Sequence, residues 1–421
     1  MARVYVEGYG CSANMAHEEA MKGALIKRGH ELSSLGNAEY AVINTCIVKA
    51  ATESQMKKRI RELSGKKLII AGCMPKAQEG VVRSLAPNAS LLGSFSSFFI
   101  ADAVSRMEKG ECVSLMDRQA VYPEEKLRTN KFINVCEISH GCVDSCSYCA
   151  TKLAKGHLKS FPSLKITKDV NDSLKSGCKE IWLASQDNAC FGQDSGESLA
   201  SLVDSVCSIN GDFRVRVGMM TPSGVIKNID GMLEMFNNKK VYKFLHVPVQ
   251  SGSNRILSEM KRMYTREEFV SMVMEFRKKY PEINVWTDVI TGYPGETDED
   301  FEETLDVLKA ISADYAHVSR FSPMKGTLAS RLVQLDSGES RERSRIATRL
   351  CEALTFEQNS KSVGEKSRVL VTERGREENQ LMGKNESYKQ VVFEGPQELM
   401  GAFCNVRITE AGLSHLKAEL I

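Results

Sequence analysis

What most constrains this chain is the alternation of short apolar, β-branched runs with stretches of helical periodicity. VYVEG (4–8), YAVINT (40–45) and KLIIAG (67–72) each precede a helical pattern, at about 14–29, 49–64 and 75–86. Repeats of this kind need crossover connections and so build a parallel sheet. Six further runs follow: FINVCEI (132–138), EIWLA (180–184), RVRVGMM (214–220), FLHVPV (244–249), NVWTDVI (284–290) and YAHVSRF (315–321). Amphipathic helices fill the gaps, for example near 167–177, 264–280 and 297–311. Six βα units in one block predict a barrel or partial barrel with its chemistry at the C-terminal strand ends. The last sixty residues change character. SRVLVTE, QVVFEG and AFCNVRIT are short alternating strands separated by Gly and Asn turns, the pattern of a small antiparallel β-barrel. The fold class is therefore α/β, with a parallel α/β unit at 1–107, a (β/α)6 partial barrel at 128–357 and the small barrel at 361–421.

Cysteines carry the next constraint. Cys142, Cys146 and Cys149 share one loop, separated by three residues and then by two. A structural zinc site needs a fourth ligand to close its tetrahedron. The nearest candidates, His140 and His157, form no CxxC or HxxxH pair. Three thiolates on a cubane cluster leave one iron open to cofactor or substrate, so the spacing favours a 4Fe–4S centre over zinc. Cys11, Cys46 and Cys73 each sit just past the end of one of the first three strands, the edge where open α/β sheets bind ligands. They either converge there on a second cluster or are buried packing residues. Core cysteines fall inside strands as often as at their ends, so the placement favours convergence. Asn14 and Asn44 flank these thiols, with helix capping the expected role and hydrogen bonding to cluster sulfides the alternative. The other seven (Cys112, Cys136, Cys178, Cys190, Cys207, Cys351 and Cys404) show no ligand spacing and read as packing residues.

Polar residues also gather at the C-terminal ends of the central strands. They are Ser185-Gln186-Asp187, Thr221-Pro222, Gln250-Ser251-Gly252, Gly292 to Thr297, and Ser322-Pro323. That one-sided concentration marks a mouth, with Gln186, Asp187, Gln250 and Ser251 as candidate contacts to cofactor or substrate. Thr297 is placed to cap the following helix. Net charge says little, because 56 basic and 54 acidic residues nearly cancel. Locally, Lys126 to Lys168 holds eight Lys/Arg against two acids, and a second basic run, RERSRIATR, occupies 341–349. Basic surface beside a redox site suits a polyanion such as RNA, with a solvated face as the alternative for either run alone. The terminal barrel is balanced, nine Lys/Arg against nine acids. Its alternative role is a structural cap. Scattered cysteines, a start that reads as a strand and no 18-residue apolar run predict a soluble, cytoplasmic protein.

The cysteine loop, with Tyr148 before its last thiol, resembles the radical S-adenosylmethionine signature. YGCSAN, INTC, AGCMPKAQ, HVPVQSGSNRIL and TDVITGYPGETDEDF extend the resemblance to the methylthiotransferases over essentially the whole chain, and the last part is similar to the TRAM RNA-binding module. GCVDSCSYCATKLAKGHLKSFP, ASQDNACFG and RVGMMTP are most similar to the archaeal–eukaryotic branch, which modifies N6-threonylcarbamoyladenosine beside the anticodon. Where the commonest bacterial pattern is Arg-rich after the loop, this chain has Lys152, Lys155, His157 and Lys159.

The resemblance implies a mechanism. Cys142, Cys146 and Cys149 would hold a catalytic 4Fe–4S cluster that cleaves S-adenosylmethionine to a 5′-deoxyadenosyl radical. The cofactor would lie against Tyr148, Gln186, Asp187, Gln250, Ser251, Gly292, Pro294 and Gly295, glycine permitting close backbone approach. A second 4Fe–4S cluster on Cys11, Cys46 and Cys73 would present the sulfur, and a second S-adenosylmethionine the methyl group. The implied partners are the tRNA anticodon stem-loop, an electron donor such as a ferredoxin or flavodoxin, and a sulfur source; no membrane is implied. Isopentenyl-adenosine tRNA and a ribosomal-protein aspartate are alternative substrates. A non-catalytic zinc- and RNA-binding protein is the alternative from another class.

Overall fold

The computed structural model describes residues 1–48, 50–116 and 121–421. Six strands form the first sheet: β1 (Arg3–Gly8), β2 (Glu31–Leu32), β3 (Tyr40–Thr45), β4 (Lys67–Gly72), β5 (Ser90–Gly93) and β6 (Ser114–Leu115). They pair in parallel in the order β2-β1-β3-β4-β5-β6. β3 is buried at every position, which is why YAVINT is a continuous run rather than an alternating one. The three strands legible in the sequence are β1, β3 and β4. β5, SLLG, contains no β-branched residue and gives a weaker signal. β6 lies beyond residue 107, so the first sheet extends past the expected boundary. The expected helix at 75–86 is two pieces, Cys73–Ala77 and Glu79–Leu85, interrupted at Gln78, whose ψ of 43° is not helical. The second helix spans Ala50–Leu63; Lys49, its expected first residue, lies outside the described residues.

The central unit contains β7 (Ile133–Glu137), β10 (Glu180–Ala184) and β11 (Arg214–Val217) in one parallel sheet, and β12 (Phe244–His246), β13 (Asn284–Thr291) and β14 (Tyr315–Arg320) in another. Between β7 and β10 a two-residue antiparallel pair, β8 (Ser139–His140) with β9 (Lys159–Ser160), closes the base of the cysteine loop. The two sheets meet at a seam where the ladder thins to a single bridge, Val215 with Val241. β7 and β14 are the free edges, so the six strands make an open partial barrel. One apolar core fills the space between strands and helices, from Ile181 and Leu183 through Val285 and Val289 to Phe269 and Phe276.

β15 (Lys366–Arg374), β16 (Gln380–Lys384), β17 (Gln390–Glu394), β18 (Phe403–Ala411) and β19 (Leu416–Leu420) close the small barrel in the order β15-β16-β17-β19-β18. Four of its pairings are antiparallel, and β17 with β19 is parallel. This barrel plugs the N-terminal end of the central one. Tyr388 packs edge-on against Tyr242 and tilted against Phe244, at 4.9 and 4.7 Å between ring centres. Hydrogen bonds join it to residues at the strand starts: Asn284 Nδ2 to the Ser387 carbonyl (2.9 Å), Lys243 N to the Glu386 carbonyl (2.8 Å) and Asn130 Nδ2 to the Thr372 carbonyl (2.9 Å). A 24-residue helix, Ser337–Ser360, runs between β14 and β15. Among the described residues no helix is long and apolar enough to cross a membrane.

Candidate active site

Both cysteine sets line one cavity of about 1110 Å³. In the first set, Cys11 is the N-cap residue of helix Ser12–Lys27, Cys46 follows β3 and Cys73 opens helix Cys73–Ala77. Parallel pairing of β1, β3 and β4 puts these three chain reversals side by side, as their sequence positions imply. Asn14 and Asn44 do not cap helices. Asn14 Nδ2 donates to the carbonyls of Tyr9 (2.7 Å) and Thr45 (3.1 Å), and Asn44 Nδ2 donates to the Asn14 carbonyl (2.9 Å). They tie the Cys11 turn to the Cys46 strand end.

The second set sits in a loop pinned from several sides. Ser147 Oγ donates to the Glu259 carbonyl (2.9 Å) and lies 2.8 Å from the Tyr293 hydroxyl. Gly141, at φ +75°, donates its N–H to Gln186 Oε1 (2.8 Å). A Cβ there would lie 2.0 Å from the His157 carbonyl, so only glycine closes this turn. Arg262 Nη1 donates to Cys146 Sγ at 3.3 Å. Tyr148 lines the cavity and packs on Ile256, Met260 and Tyr293.

Burial raises thiols of both sets as it raises Cys207 and Cys351, and what sets Cys46 and Cys73 apart is a buried lysine beside them. Burial pushes Cys73 and Cys142 up to about 12, and raises Cys46 and Cys149 as well. At neutral pH such groups stay protonated unless a cation or metal holds the thiolate. Lys155 acts in that direction on Cys73 and Cys46. It is buried, and its Nζ lies 3.3 Å from Glu137 Oε1. Glu137 in turn meets His17 Nε2 (2.7 Å) and His140 Nδ1 (2.8 Å). Burial alone would raise the Glu137 carboxyl, yet His17, His140 and Lys155 hold it well below the usual range. Burial lowers His140 to about 4. His140, the nearer zinc-ligand candidate, is thus engaged by Glu137 and packed 4.0 Å from the Phe95 ring, while His157 is exposed.

The remaining expectations divide. Gln186, Gln250 and Gly292 line the cavity. Gln250 holds φ +70°, a strained conformation for a non-glycine residue, while bridging to Val289. Asp187, Ser251, Pro294 and Gly295 do not line it. The Asp187 carboxylate is buried and accepts from the N–H groups of Ala189 (3.1 Å) and Thr221 (2.8 Å) and from Cys190 Sγ (2.7 Å). Ser251 Oγ accepts from Ser253 N (3.2 Å), and Pro294 is buried in the turn. Gly295 is exposed, its carbonyl accepting from Arg255 (2.7 Å). Thr297 does cap helix Asp298–Ala310, in a capping box with Asp300. Of the seven cysteines read as packing residues, Cys112 is exposed and departs from that reading.

Arg216, His246, Asp288 and Arg262 also form the cavity wall and were not among the expected residues. His246 Nε2 pairs with Asp288 Oδ2 at 2.8 Å. Arg216 sits 5.2 to 5.3 Å from the rings of Trp182, Phe244 and Tyr388. For His246 and Asp288 the available signal was the period-2 alternation of β12 and β13, which puts them on one face with Phe244 and Trp286; Arg216 lies in β11, and Arg262 lies outside the strands. Charged residues of the lining are five Lys/Arg and two Asp, so the cavity favours an anionic ligand.

Comparison with known proteins agrees with this geometry. The Radical SAM superfamily model matches residues 136–308, the model of Uncharacterized protein family UPF0004 residues 3–93, and the TRAM domain model residues 360–421. A Pyrococcus horikoshii protein named probable threonylcarbamoyladenosine tRNA methylthiotransferase is 40% identical over 431 residues, covering 100% of each chain. The chain belongs to the threonylcarbamoyladenosine tRNA methylthiotransferase family. A Drosophila pseudoobscura member is 32% identical over 100% of this chain and 77% of its own length. Among solved structures, the radical S-adenosylmethionine methyltransferase TsrM from Kitasatospora setae, with cobalamin and a [4Fe-4S] cluster bound, aligns at TM-score 0.60 and 14% identity. It covers 78% of this chain and 77% of TsrM, a likeness of fold alone. Radical SAM membership implies a 4Fe–4S cluster and S-adenosylmethionine for this methylthiotransferase. Three thiols with no fourth protein ligand from either histidine suit a cubane with one open iron.

Proposed function

We propose that the protein converts N6-threonylcarbamoyladenosine beside the tRNA anticodon into its 2-methylthio derivative. The observation that carries this reading is the meeting of two three-thiol sets in one cationic cavity. Cys142, Cys146 and Cys149 would hold a 4Fe–4S cluster with S-adenosylmethionine at its open iron. Cys11, Cys46 and Cys73 would hold a second, which offers the sulfur. Together these groups supply the one-electron cleavage, the radical that removes hydrogen from C2 of the base, and the sulfur and methyl that replace it.

The chain's own residues orient and insulate that chemistry. Arg262 donates to Cys146 Sγ and Lys155 offsets charge at Cys73, each stabilising the deprotonated thiolate that would ligate iron. Gln186 fixes the loop through the Gly141 N–H. Tyr148, Gln250 and Gly292, which line the cavity, would touch the cofactor. The anionic substituent of threonylcarbamoyladenosine and the cofactor's carboxylate both suit the basic lining. A cytoplasmic location, a ferredoxin- or flavodoxin-type electron donor and a separate sulfur source complete the proposal.

The test is nucleoside mass spectrometry after anaerobic reconstitution, with tRNAs carrying threonylcarbamoyl- or isopentenyl-adenosine offered together. The expected product is the 2-methylthio form of the threonylcarbamoyl nucleoside. Modification of the isopentenyl nucleoside in its place overturns the substrate assignment.

A further inference from the structure

Helix Ser337–Ser360 connects two places that an RNA substrate would visit. Its first turn borders the cavity, Ser337 and Ser340 being part of the lining. Its last turn reaches the small barrel, where Asn359 Nδ2 donates to the Gly412 carbonyl at 2.7 Å. At about 1.5 Å per residue the helix spans roughly 36 Å. Arg343, Ala347, Cys351 and Thr355 form its buried edge. Arg343 is spent there, bonded to Glu296 Oε2 (2.8 Å) and Asp298 Oδ1 (2.9 Å).

The opposite face is different. Arg341, Arg345 and Arg349 are exposed and recur every four residues, which aligns them in one stripe about 6 Å apart along the axis. Arg345 pairs with Glu342 at 2.6 Å. Among the described residues, Arg341 and Arg349 make no hydrogen bond or ion pair. The approach to the helix continues the pattern. Arg320 lies on the cavity lining, and Lys325 and Arg331 are exposed. From Arg320 to Arg349 there are seven Lys/Arg against three acids, a local charge of 7 − 3 = +4. Those acids are already engaged: Asp336 caps the helix, Glu339 pairs with Arg343 and Glu342 with Arg345. The small barrel has nine Lys/Arg and nine acids, so its net charge adds nothing to this stripe.

We propose that the exposed face of helix Ser337–Ser360 is a phosphate track, along which an RNA stem runs from the cavity to the small barrel. The proposal rests on the tRNA-modifying reading above and adds the surface that makes the contact. Arg341 and Arg349 are free to meet backbone phosphates, and their regular spacing suits a polymer whose charges recur at regular intervals. Such contacts carry no base information; they fix the register in which one base reaches the cavity.

The experiment uses the full-length, cluster-reconstituted protein and an unmodified tRNA transcript. Binding is measured across a salt series for the wild type, Arg341→Glu/Arg349→Glu and Arg341→Lys/Arg349→Lys. Loss of two phosphate contacts should reduce the slope of log K against log salt by about 1.8, at about 0.9 per contact, and weaken binding most at low salt. The lysine pair should restore most of the slope. Tm and tRNA-independent S-adenosylmethionine cleavage should stay at wild-type values, since both arginines are exposed and outside the cavity lining. Unchanged affinity and slope in the glutamate pair overturn the track, leaving the tRNA reading intact. A wild-type protein that binds no RNA overturns the tRNA reading itself.

Discussion

Lys155→Met removes the cation that balances a buried carboxylate. Lys155 and Glu137 are 1% and 3% exposed, and Nζ lies 3.3 Å from Oε1. With His140 neutral near pH 7, its pKa held at about 4, Lys155 carries the compensating charge. Removing one partner of a buried pair costs about 3–5 kcal/mol. Two imidazole hydrogen bonds to Glu137 survive, which puts the expected loss near the lower limit, about 3 kcal/mol. The pH dependence has a definite sign. Glu137 is held below its ordinary value in the folded state, so its stabilisation is present above the unfolded carboxylate range and lost as pH falls. The gap between wild type and variant should therefore be widest near pH 7 and narrow below about pH 4. Adding Glu137→Gln to Lys155→Met removes the orphaned charge and should recover at least half of the loss. Urea unfolding followed by tryptophan fluorescence reads this directly, because Trp182 packs beside Ala16, Ile133 and Ala184 where the first helix meets the central barrel. A single variant within about 0.5 kcal/mol of wild type at pH 7 would refute the assignment of Lys155 as the balancing charge.

Three other perturbations follow from the same structure. Gly292→Ala puts a Cβ 2.3 Å from Ser340 Oγ at φ +71°, and should cost about 2 kcal/mol and weaken S-adenosylmethionine binding; adding Ser340→Gly should restore part of both, as read by unfolding and calorimetry. Asp300, held down to about 2 by hydrogen bonds from Arg255, Ser253 and Thr297 that outweigh its burial, contributes stability above the ordinary aspartate range that fades as pH falls toward about 2. Asp300→Asn should lower Tm at pH 7 and converge with wild type in acid. Tyr388→Ala opens the seat against Tyr242 and Phe244 and should cost about 3–4 kcal/mol in the central barrel's unfolding, although Tyr388 belongs to the small barrel.

That last effect shows where sequence reasoning reaches its limit. The small barrel is recognisable from its short alternating strands, but nothing in QVVFEG or its neighbours says that Tyr388 enters the base of another barrel. Convergence of Cys11, Cys46 and Cys73 was legible because parallel β1, β3 and β4 fix what their C-terminal ends share. Lys126 and Lys155 counted toward a basic patch in the sequence, yet both are buried and paired, with Asp169 and Glu137. A linear charge count cannot distinguish a solvated lysine from one that neutralises a core carboxylate. Asp187 shows a related limit. Its strand-end position does bring a carboxylate oxygen within 4.8 Å of Cys142 Sγ, but the backbone N–H groups that hold the carboxylate there could not be read from the sequence. His246, Asp288 and Arg216 become candidates only once strand alternation is combined with an open barrel interior.

Iron content and product formation in Cys46→Ala test the account most directly. Wild-type protein, reconstituted anaerobically, should hold about eight irons per chain, and the variant about four, at four irons per cubane. The variant should still cleave S-adenosylmethionine, because Cys142, Cys146 and Cys149 occupy a separately anchored loop. It should form no methylthio nucleoside on tRNA. Wild-type iron content together with undiminished methylthio product would contradict the two-site reading and return Cys46 to an ordinary buried thiol.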